Sequence, residues 1–185
     1  MHENYPWGDA LPTLSTERLR LRHVTAADVD ALYAVFGDPE VMHYWSHAAW
    51  TDRAEALAYQ QSIQRGFDSR SLFQWGIAPA DDNRLLGTCT LYQLIQEQRR
   101  GELGIILGRE AWGQGLGTEA LQALIQFAFQ ELGLHRLEAD VDPVNARSLA
   151  LFEGLGFQRE GVLKERWFVH GAYQDSILLG LLNRD

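Results

Sequence analysis

The stretch Trp112-Gly-Gln-Gly-Leu-Gly-Thr118 decides the fold of this 185-residue chain. Residues 102–107, which precede it, form a short apolar run that predicts a strand, and residues 136–141 predict another. Between these strands, apolar residues recur at helical spacing at Leu116, Ala120, Leu121, Leu124, Ile125, Phe127, Ala128 and Leu132. A strand, a glycine turn, a helix and a second strand form a βαβ unit, which requires a parallel strand pair and a right-handed crossover.

The segments around this unit predict antiparallel strands and further helices. Strands are expected at residues 19–22, 73–78, 85–95, 157–163 and 176–182, with residues 165–173 as the link between the last two. Helices are expected at residues 25–37, 51–66 and 145–156, with a helical turn opening at Pro39. We therefore predict an α+β fold with a mixed, mostly antiparallel sheet, a central parallel βαβ unit and flanking helices. No repeat, low-complexity tract or linker interrupts residues 1–185, so we expect a single domain.

Composition narrows the classes of partner. The chain has 16 basic and 25 acidic residues, and its net charge of -9 repels nucleic acid backbones and favours cationic molecules. Its single cysteine, Cys89, excludes an intramolecular disulfide and a zinc site built from cysteines. No run approaches the ~18 apolar residues of a membrane span, and the first residues lack the features of a signal peptide. We expect a cytoplasmic monomer or homodimer without nucleic-acid or membrane partners.

The glycine-rich turn is a candidate anion site. Gly113, Gly115 and Gly117 stand on alternate positions, which lets successive backbone N–H groups converge on a phosphate or pyrophosphate at the start of the helix. A tight strand-to-helix turn without a ligand is the alternative, and the pattern alone leaves both open. Two known phosphate loops do not fit: the spacing differs from Gly-x-Gly-x-x-Gly, and Gly117 is followed by Thr118 without the lysine of a P-loop.

Longer motifs extend the pattern of the glycine turn over about residues 14–182. They are Thr16-Glu-Arg-Leu-Arg-Leu-Arg22, Asp38-Pro-Glu-Val-Met42, Gly101-Glu-Leu-Gly-Ile-Ile-Leu107, Leu134-His-Arg-Leu-Glu-Ala-Asp-Val-Asp-Pro-Val-Asn-Ala-Arg-Ser-Leu149 and Phe152-Glu-Gly-Leu-Gly-Phe-Gln-Arg-Glu-Gly161. In this order they resemble the GNAT N-acetyltransferases, and within them the RimJ/RimL branch, which acetylates N-terminal amines of ribosomal proteins. The resemblance implies the GNAT fold and acetyl-CoA as co-substrate.

The resemblance also implies which residues hold acetyl-CoA. The amides of Gly113, Gln114, Gly115, Leu116, Gly117 and Thr118 would hold the pyrophosphate, after Trp112 at a position where the superfamily usually has Gln or Arg. The exposed backbone of Ile105, Ile106 and Leu107 would pair with the pantetheine arm between two splayed parallel strands. Asn145, Ser148 and Phe152 would contact the cofactor near its acyl end.

Acetyl transfer to an amine needs a group that removes the ammonium proton. By family analogy Glu102 is the candidate base, acting through water. The alternative is a solvated glutamate at a strand end beside Arg99 and Arg100. Glu165 and Asp140 are weaker candidates, since each fits a surface or ion-pairing role.

A second group should assist the leaving thiolate. Many family members have tyrosine at the position of Phe152, and phenylalanine cannot donate a proton. Asn145, Ser148 and Phe152 share one helical face, and Ser148 matches a serine of the branch, so we assign the sulfur contact to Ser148. The alternative makes Asn145 a helix N-cap and Ser148 an ordinary first-turn residue.

Aromatic residues mark the candidate acceptor site. Tyr44 and Trp45 lie in an aromatic stretch, and Trp167 and Tyr173 flank a turn near His170. Aromatic walls suit a cationic amine, although helices docked by aromatic packing would show the same pattern. His43 and His47 have metal-ligand spacing but lack the glutamate of a zincin, so we expect no metal.

The prediction is an enzyme that transfers acetyl from acetyl-CoA to a primary amine by direct attack. The amine is a protein or peptide N-terminus, or a small polyamine or aminoglycoside. The alternative is a catalytically silent acyl-CoA-binding module, which Phe152 favours. Another binder of a phosphate-bearing ligand is a third possibility if the resemblance misleads.

Overall fold

The computed structural model describes residues 7–169 and 171–184, and within these ranges it contains one eight-stranded sheet. The strands are β1 Leu14–Ser15, β2 Leu19–His23, β3 Leu72–Pro79, β4 Gly87–Ile95, β5 Arg100–Leu107, β6 Arg136–Val141, β7 Gln158–Val169 and β8 Ala172–Leu182. Their order is β1-β2-β3-β4-β5-β6-β8-β7, and β5–β6 is the parallel pair among antiparallel neighbours. This confirms the predicted α+β fold with its central parallel unit.

Four α-helices flank the sheet in the described ranges. They are α1 Val29–Phe36, α2 Arg53–Asp68, α3 Leu116–Gln130 and α4 Ala146–Gly154. Asp52 is the N-cap of α2, and its side chain accepts a hydrogen bond from the Ala54 amide at 2.8 Å. Helix α3 joins β5 to β6 and forms the predicted crossover. No helix in the described part of the chain combines the length and the apolar composition needed to cross a membrane.

The two faces of the sheet pack against different helices, because side chains alternate along each strand. Trp75 and Cys89 belong to the core formed with α3 and α4, whereas Leu32 and Phe36 of α1 anchor a second core with α2. Cys89 has no exposed surface, and burial raises the pKa of its thiol well above the ordinary value.

A buried ion pair connects β2 to the turn before α1. The Arg22 guanidinium donates to both carboxylate oxygens of Asp28, at 2.9 and 2.7 Å, and the Thr25 amide donates to Asp28 at 2.8 Å. Burial alone would raise the pKa of Asp28, but the hydrogen bonds from Arg22 and Thr25 outweigh it and hold the pKa below its usual value. The pair therefore stabilises the start of α1 only while Asp28 is ionised.

The parallel strands separate after a short contact. Their register runs from Arg100–Arg136 to Glu102–Glu138, and the described residues show no β5–β6 pair beyond it. Strand β5 continues along β4 as far as the Gly87–Leu107 pair. Backbone groups alternate in direction along a strand, and the Ile106 carbonyl lies against Gly87 of β4. The backbone of Ile105 therefore faces the gap opened between β5 and β6.

The prediction that residues 165–173 form a link is wrong. Strand β7 extends to Val169 and β8 begins at Ala172, and His170, which comes between them in the sequence, lies outside the described residues. Strand β7 is exposed along almost its whole length, and its register shifts between Leu163 and Trp167, where Glu165 has a φ of 51°. An exposed strand with a bulge has no alternation of buried residues, so the sequence pattern does not show it.

Candidate active site

The glycine turn forms an open N-terminus for α3. Gly113 and Gly115 have φ values of 72° and 75°, the left-handed region that glycine adopts without strain. Within the described residues, no side chain caps the helix at Gly115, and the first-turn amides of a helix have no partner inside it. Arg18 holds the turn from outside by donating to the Gln114 carbonyl at 2.9 Å and pairing with Glu119. This arrangement leaves backbone N–H groups available for an anion.

A cleft of about 730 Å³ lies beside the turn, and we call it the loop-side cleft. Its lining residues are Pro39, Glu40, Val41, His43, Tyr44, Trp45, Ile105, Ile106, Leu107, Trp112, Val144, Asn145, Ala146, Arg147, Ser148 and Leu151. They include six residues predicted to contact a cofactor. A Cβ added at Gly117 would lie 3.4 Å from Leu107 and 3.5 Å from Leu151, which places the glycine turn next to this cleft.

Trp112 organises one end of the loop-side cleft. Its indole Nε1 donates to the Leu107 carbonyl at 2.8 Å, so this carbonyl already has a partner. The Arg147 guanidinium lies 4.2 Å from the centre of the Trp112 ring, a cation–π contact at the edge of the cleft. Three residues are predicted to pair with a pantetheine arm. Among them, Ile105 has backbone groups that face the gap, and its carbonyl, unlike that of Leu107, does not accept the Trp112 hydrogen bond.

A second space of about 390 Å³ adjoins the cleft, and we call it the hairpin-side cavity. Its lining residues are Tyr44, Trp45, Ser46, Tyr59, Leu72, Gln74, Thr90, Tyr92, Leu103, Gly104, Ile105, Asp140, Val141, Asp142, Asn145, Ser148, Phe152, Trp167, Val169, Gln174 and Asp175. The cleft and the cavity share Tyr44, Trp45, Ile105, Asn145 and Ser148. They therefore meet where β5 and β6 separate.

Glu102 lies at the last β5–β6 pair and is 8% exposed. Burial raises its pKa, and the neighbouring carboxylates of Glu138 and Asp140 raise it further, while a hydrogen bond with the Tyr92 hydroxyl and the charge of Arg166 lower it in part. Its carboxyl group is not solvated at a strand end. Tyr92, the cross-strand partner of Glu102, lines the hairpin-side cavity, whereas Glu102 is not among the lining residues.

The two weaker base candidates have other partners. Asp140 lines the hairpin-side cavity, but it accepts hydrogen bonds from Arg166 at 2.7 Å and from the Ser176 hydroxyl. Glu165 is exposed on β7 and lines neither the cleft nor the cavity. Both therefore have the ion-pairing or surface position described as their alternative.

The positions of Asn145 and Ser148 are compatible with both alternatives considered for them, a helix-capping role and a contact with the cofactor. The Asn145 side chain accepts a hydrogen bond from the Ser148 amide at 3.1 Å, which makes Asn145 the N-cap of α4. Both residues also line the cleft and the cavity. Phe152 lines only the cavity, with its ring centre 5.1 Å from that of Phe157.

Three of the four predicted acceptor residues come together. Tyr44, Trp45 and Trp167 line the hairpin-side cavity. Tyr173 does not, because it lies on β8 with 67% of its surface exposed, opposite Phe168 of β7. In the described ranges, no three His, Cys, Asp or Glu side chains are grouped so that they could hold a metal ion.

Three residues of the site, Tyr92, Gln74 and Arg147, are not indicated by the sequence patterns. Gln74, which is buried, donates to the Tyr59 hydroxyl at 3.0 Å and to Thr88 at 2.9 Å at the wall of the hairpin-side cavity. Tyr92 faces Glu102 only because β4 and β5 pair in one particular register. A register between strands is a tertiary property, and no local pattern in the sequence marks it.

The split parallel strand pair and the uncapped glycine turn both leave backbone groups available beside the two-part cleft, which suits a ligand with an extended arm and a phosphate. The family model for the acetyltransferase (GNAT) domain matches residues 18–158. The chain belongs to this family of acetyl-CoA-dependent N-acetyltransferases, which transfer acetyl to amines, and this confirms the predicted family, enzyme class and co-substrate.

Individual relatives agree with this assignment. The chain is 36% identical to p20, an uncharacterized N-acetyltransferase of Bacillus licheniformis, over 95% of this chain and 98% of p20. It is 26% identical to the spermidine N(1)-acetyltransferase of Escherichia coli strain K12, over 88% of this chain and 85% of the relative. Mycobacterium smegmatis RimJ, solved with CoA-disulfide, shares the fold with a TM-score of 0.80 at 23% identity, over 89% of this chain and 81% of RimJ.

Proposed function

We propose that this enzyme acetylates a cationic primary amine at the end of an unbranched segment, as in a polyamine or a protein N-terminus. The observation that carries the proposal is that the loop-side cleft and the hairpin-side cavity meet at Ile105, Asn145 and Ser148. One space would hold the arm of acetyl-CoA and the other the acceptor, so that thioester and amine would meet at the shared residues. Holding both reactants in line supplies much of the catalytic effect in such transfers.

The α3 N-terminus and β5 would hold acetyl-CoA. The amides from Gly113 to Thr118 suit the pyrophosphate, because they combine unpaired N–H groups with the positive end of the helix dipole. The backbone of Ile105 would pair with the pantetheine arm, and Arg147 at the edge of the cleft adds a positive charge for a phosphate.

The chemistry of the hairpin-side cavity favours a cation. Asp142 contributes a carboxylate that pairs with no arginine or lysine among the described residues, whereas Asp140 and Asp175 pair with Arg166 and Lys164. Trp45 and Trp167 contribute aromatic side chains. The net charge of -9 attracts the same substrates. The similarity to a spermidine acetyltransferase and the motifs of the RimJ/RimL branch support two acceptors of this kind, a polyamine and a protein N-terminus.

Glu102 would accept a proton from the substrate ammonium, and Ser148 would assist the departure of the thiolate. Glu102 removes one proton from the ammonium, and the free amine then attacks the thioester carbonyl, so that a C–N bond forms and the C–S bond breaks. The second proton of the nitrogen passes to the leaving thiolate, next to the Ser148 hydroxyl. Glu102 returns its proton to solvent, and the products are the amide and the free thiol.

We expect acetyl-CoA and CoA, but not NAD or ATP, to raise the unfolding temperature. At 100 times its dissociation constant a ligand adds about 2.7 kcal/mol of stability. With acetyl-CoA bound, thiol release is then measured with spermidine, a peptide with a free N-terminus, its N-acetylated form and an aminoglycoside. If thiol is released with spermidine only, the acceptor is a polyamine. If it is released with the free peptide only, the acceptor is a protein N-terminus. Stabilisation by acetyl-CoA without turnover of any amine contradicts the proposal and favours the catalytically silent binding module.

Gly115→Ala is expected to raise the Kd for acetyl-CoA about tenfold. A Cβ at a left-handed position costs roughly 1–2 kcal/mol, so the turn of the free variant should relax to another conformation. Restoring the binding conformation at a cost of about 1.4 kcal/mol would lower the affinity tenfold. The nearest group to this Cβ, in Arg18, lies 3.6 Å away, so the effect is conformational and not steric. Gly154→Ala, at the end of α4 with no atom within 4 Å, is the matched control. An unchanged Kd in Gly115→Ala would show that the turn does not hold the pyrophosphate.

A further inference from the structure

We propose that the Tyr92 hydroxyl carries the proton from the substrate ammonium to Glu102. This inference rests on the proposed function, because it requires Glu102 to act as the base. It adds a residue that no motif of the sequence indicates and replaces the water expected between amine and carboxylate.

The first support is that Tyr92 is accessible from the hairpin-side cavity, whereas Glu102 does not line it. Glu102 is 8% exposed and is not among the residues that line the hairpin-side cavity. Tyr92 lines that cavity and stands opposite Glu102 in the β4–β5 register. The two side chains are close enough that Glu102 raises the pKa of Tyr92 and Tyr92 lowers that of Glu102. Of these two residues, Tyr92 is therefore the one that an amine in the cavity can contact.

The second support is local backbone geometry. Gln93, the residue after Tyr92, has a φ of 48°, and the β4–β5 register shifts between Tyr92 and Ile95. A left-handed non-glycine residue is strained, and bulges of this kind commonly redirect a side chain next to an active site. Tyr92 is the last residue of β4 before this bulge, and its pairing with Glu102 is the last regular one before the shift.

The charges around the pair favour movement toward Glu102. The groups that face it are Glu138 and Asp140 of β6 and Arg166 of β7. Arg100 and Arg136 pair with Glu138, and Arg166 pairs with Asp140. Among the described residues Glu102 forms no ion pair with an arginine, which leaves its carboxylate available for the proton.

The transfer conserves charge on the tyrosine. The ammonium gives a proton to the Tyr92 oxygen while the Tyr92 hydroxyl proton passes to the Glu102 carboxylate. Tyr92 is neutral before and after, the amine is free to attack the thioester, and Glu102 is a neutral acid. No oxidant, metal or other reactant is needed.

The test compares Tyr92→Phe, Glu102→Gln and the double variant in single-turnover reactions with saturating acetyl-CoA and an accepted amine. We expect both single variants to slow acetyl transfer by about 10²- to 10⁴-fold. The double variant should be no slower than Glu102→Gln within about threefold, because the two groups act on one proton. The Kd for acetyl-CoA should stay unchanged. Tyr33→Phe, which removes a surface hydroxyl bonded to the Thr51 carbonyl, is the control for the substitution itself.

Two further readouts separate transfer from support of the fold. Tyr92→His retains a group that accepts and passes on a proton, so it should recover part of the rate lost in Tyr92→Phe. Tyr92→Phe should raise the pKa of Glu102, since the carboxylate loses the hydroxyl that stabilises its charged form. As the pH is lowered, the residual rate of this variant should therefore begin to decrease at a higher pH than the rate of the wild type. A wild-type rate in Tyr92→Phe beside a slow Glu102→Gln would overturn the relay alone. A wild-type rate in Glu102→Gln would overturn the base assignment of the proposed function.

Discussion

Glu102→Gln is expected to lower kcat by about 10²- to 10⁴-fold, the usual contribution of a general base. The glutamine is close in size to the glutamate and retains hydrogen-bonding capacity toward Tyr92, but it cannot accept the ammonium proton. Glu102 is not among the residues that line the loop-side cleft, so the Kd for acetyl-CoA should not change. Steady-state kinetics with the accepted amine, together with calorimetric binding of acetyl-CoA, measure the two quantities separately.

The pH dependence gives this prediction a second check. Burial raises the pKa of Glu102, so kcat of the wild type should fall as the pH drops through a value above the ordinary range of glutamate. Below that pH the carboxyl group is already protonated and cannot serve as a base. The acid limb should vanish in Glu102→Gln and persist in Glu110→Gln, which alters an exposed carboxylate paired with Arg84. An unchanged acid limb in Glu102→Gln would assign the base to another group.

Asp28→Asn is expected to lower the free energy of unfolding by about 3 kcal/mol or more. The substitution leaves the Arg22 guanidinium buried without its counter-charge, since the side chains of the pair are 12% and 7% exposed. It also weakens the hydrogen bonds that fix the turn before α1. Urea unfolding monitored by circular dichroism measures the loss.

Acid titration of stability tests the cause of this loss. The folded-state pKa of Asp28 is held below its unfolded value, so its contribution is present above the unfolded pKa of about 3.9 and is lost as the pH falls through the folded pKa. Asp28→Asn should lack this part of the acid dependence. Asp30→Asn is the matched control, because Asp30 is 79% exposed and solvent screens its pair with Arg53. Equal losses in the two variants would contradict the role of burial.

The parts of the fold that sequence predicts are those with local rules. The βαβ unit follows from glycine spacing and from a helical apolar stripe that packs in the core at Leu116, Ala120 and Leu124. The N-cap position of Asn145 follows from residue type and from the helix that comes after it. In each case the relevant neighbours lie within a few positions along the chain, so a pattern records them.

The parts that sequence does not predict depend on distant neighbours. Tyr92 meets Glu102 through strand register, and Trp112 meets the Leu107 carbonyl through the geometry of the turn. The β7–β8 hairpin pairs the exposed strand β7 with β8, whose first residues are exposed as well, and there backbone hydrogen bonds replace the burial pattern that marks other strands. Composition indicates an aromatic acceptor site, but it cannot separate Trp167, which lines the cavity, from Tyr173, which does not.

The burial of Cys89 makes the enzyme convenient for spectroscopy. Its thiol has no exposed surface and is held in the protonated form, which does not react with disulfide reagents. A chromogenic thiol reagent added to the folded enzyme should therefore report the CoA released at each turnover without a background from the protein. The same inertness allows one cysteine to be introduced at an exposed site on β7 and labelled selectively with a fluorophore while the native thiol stays in place.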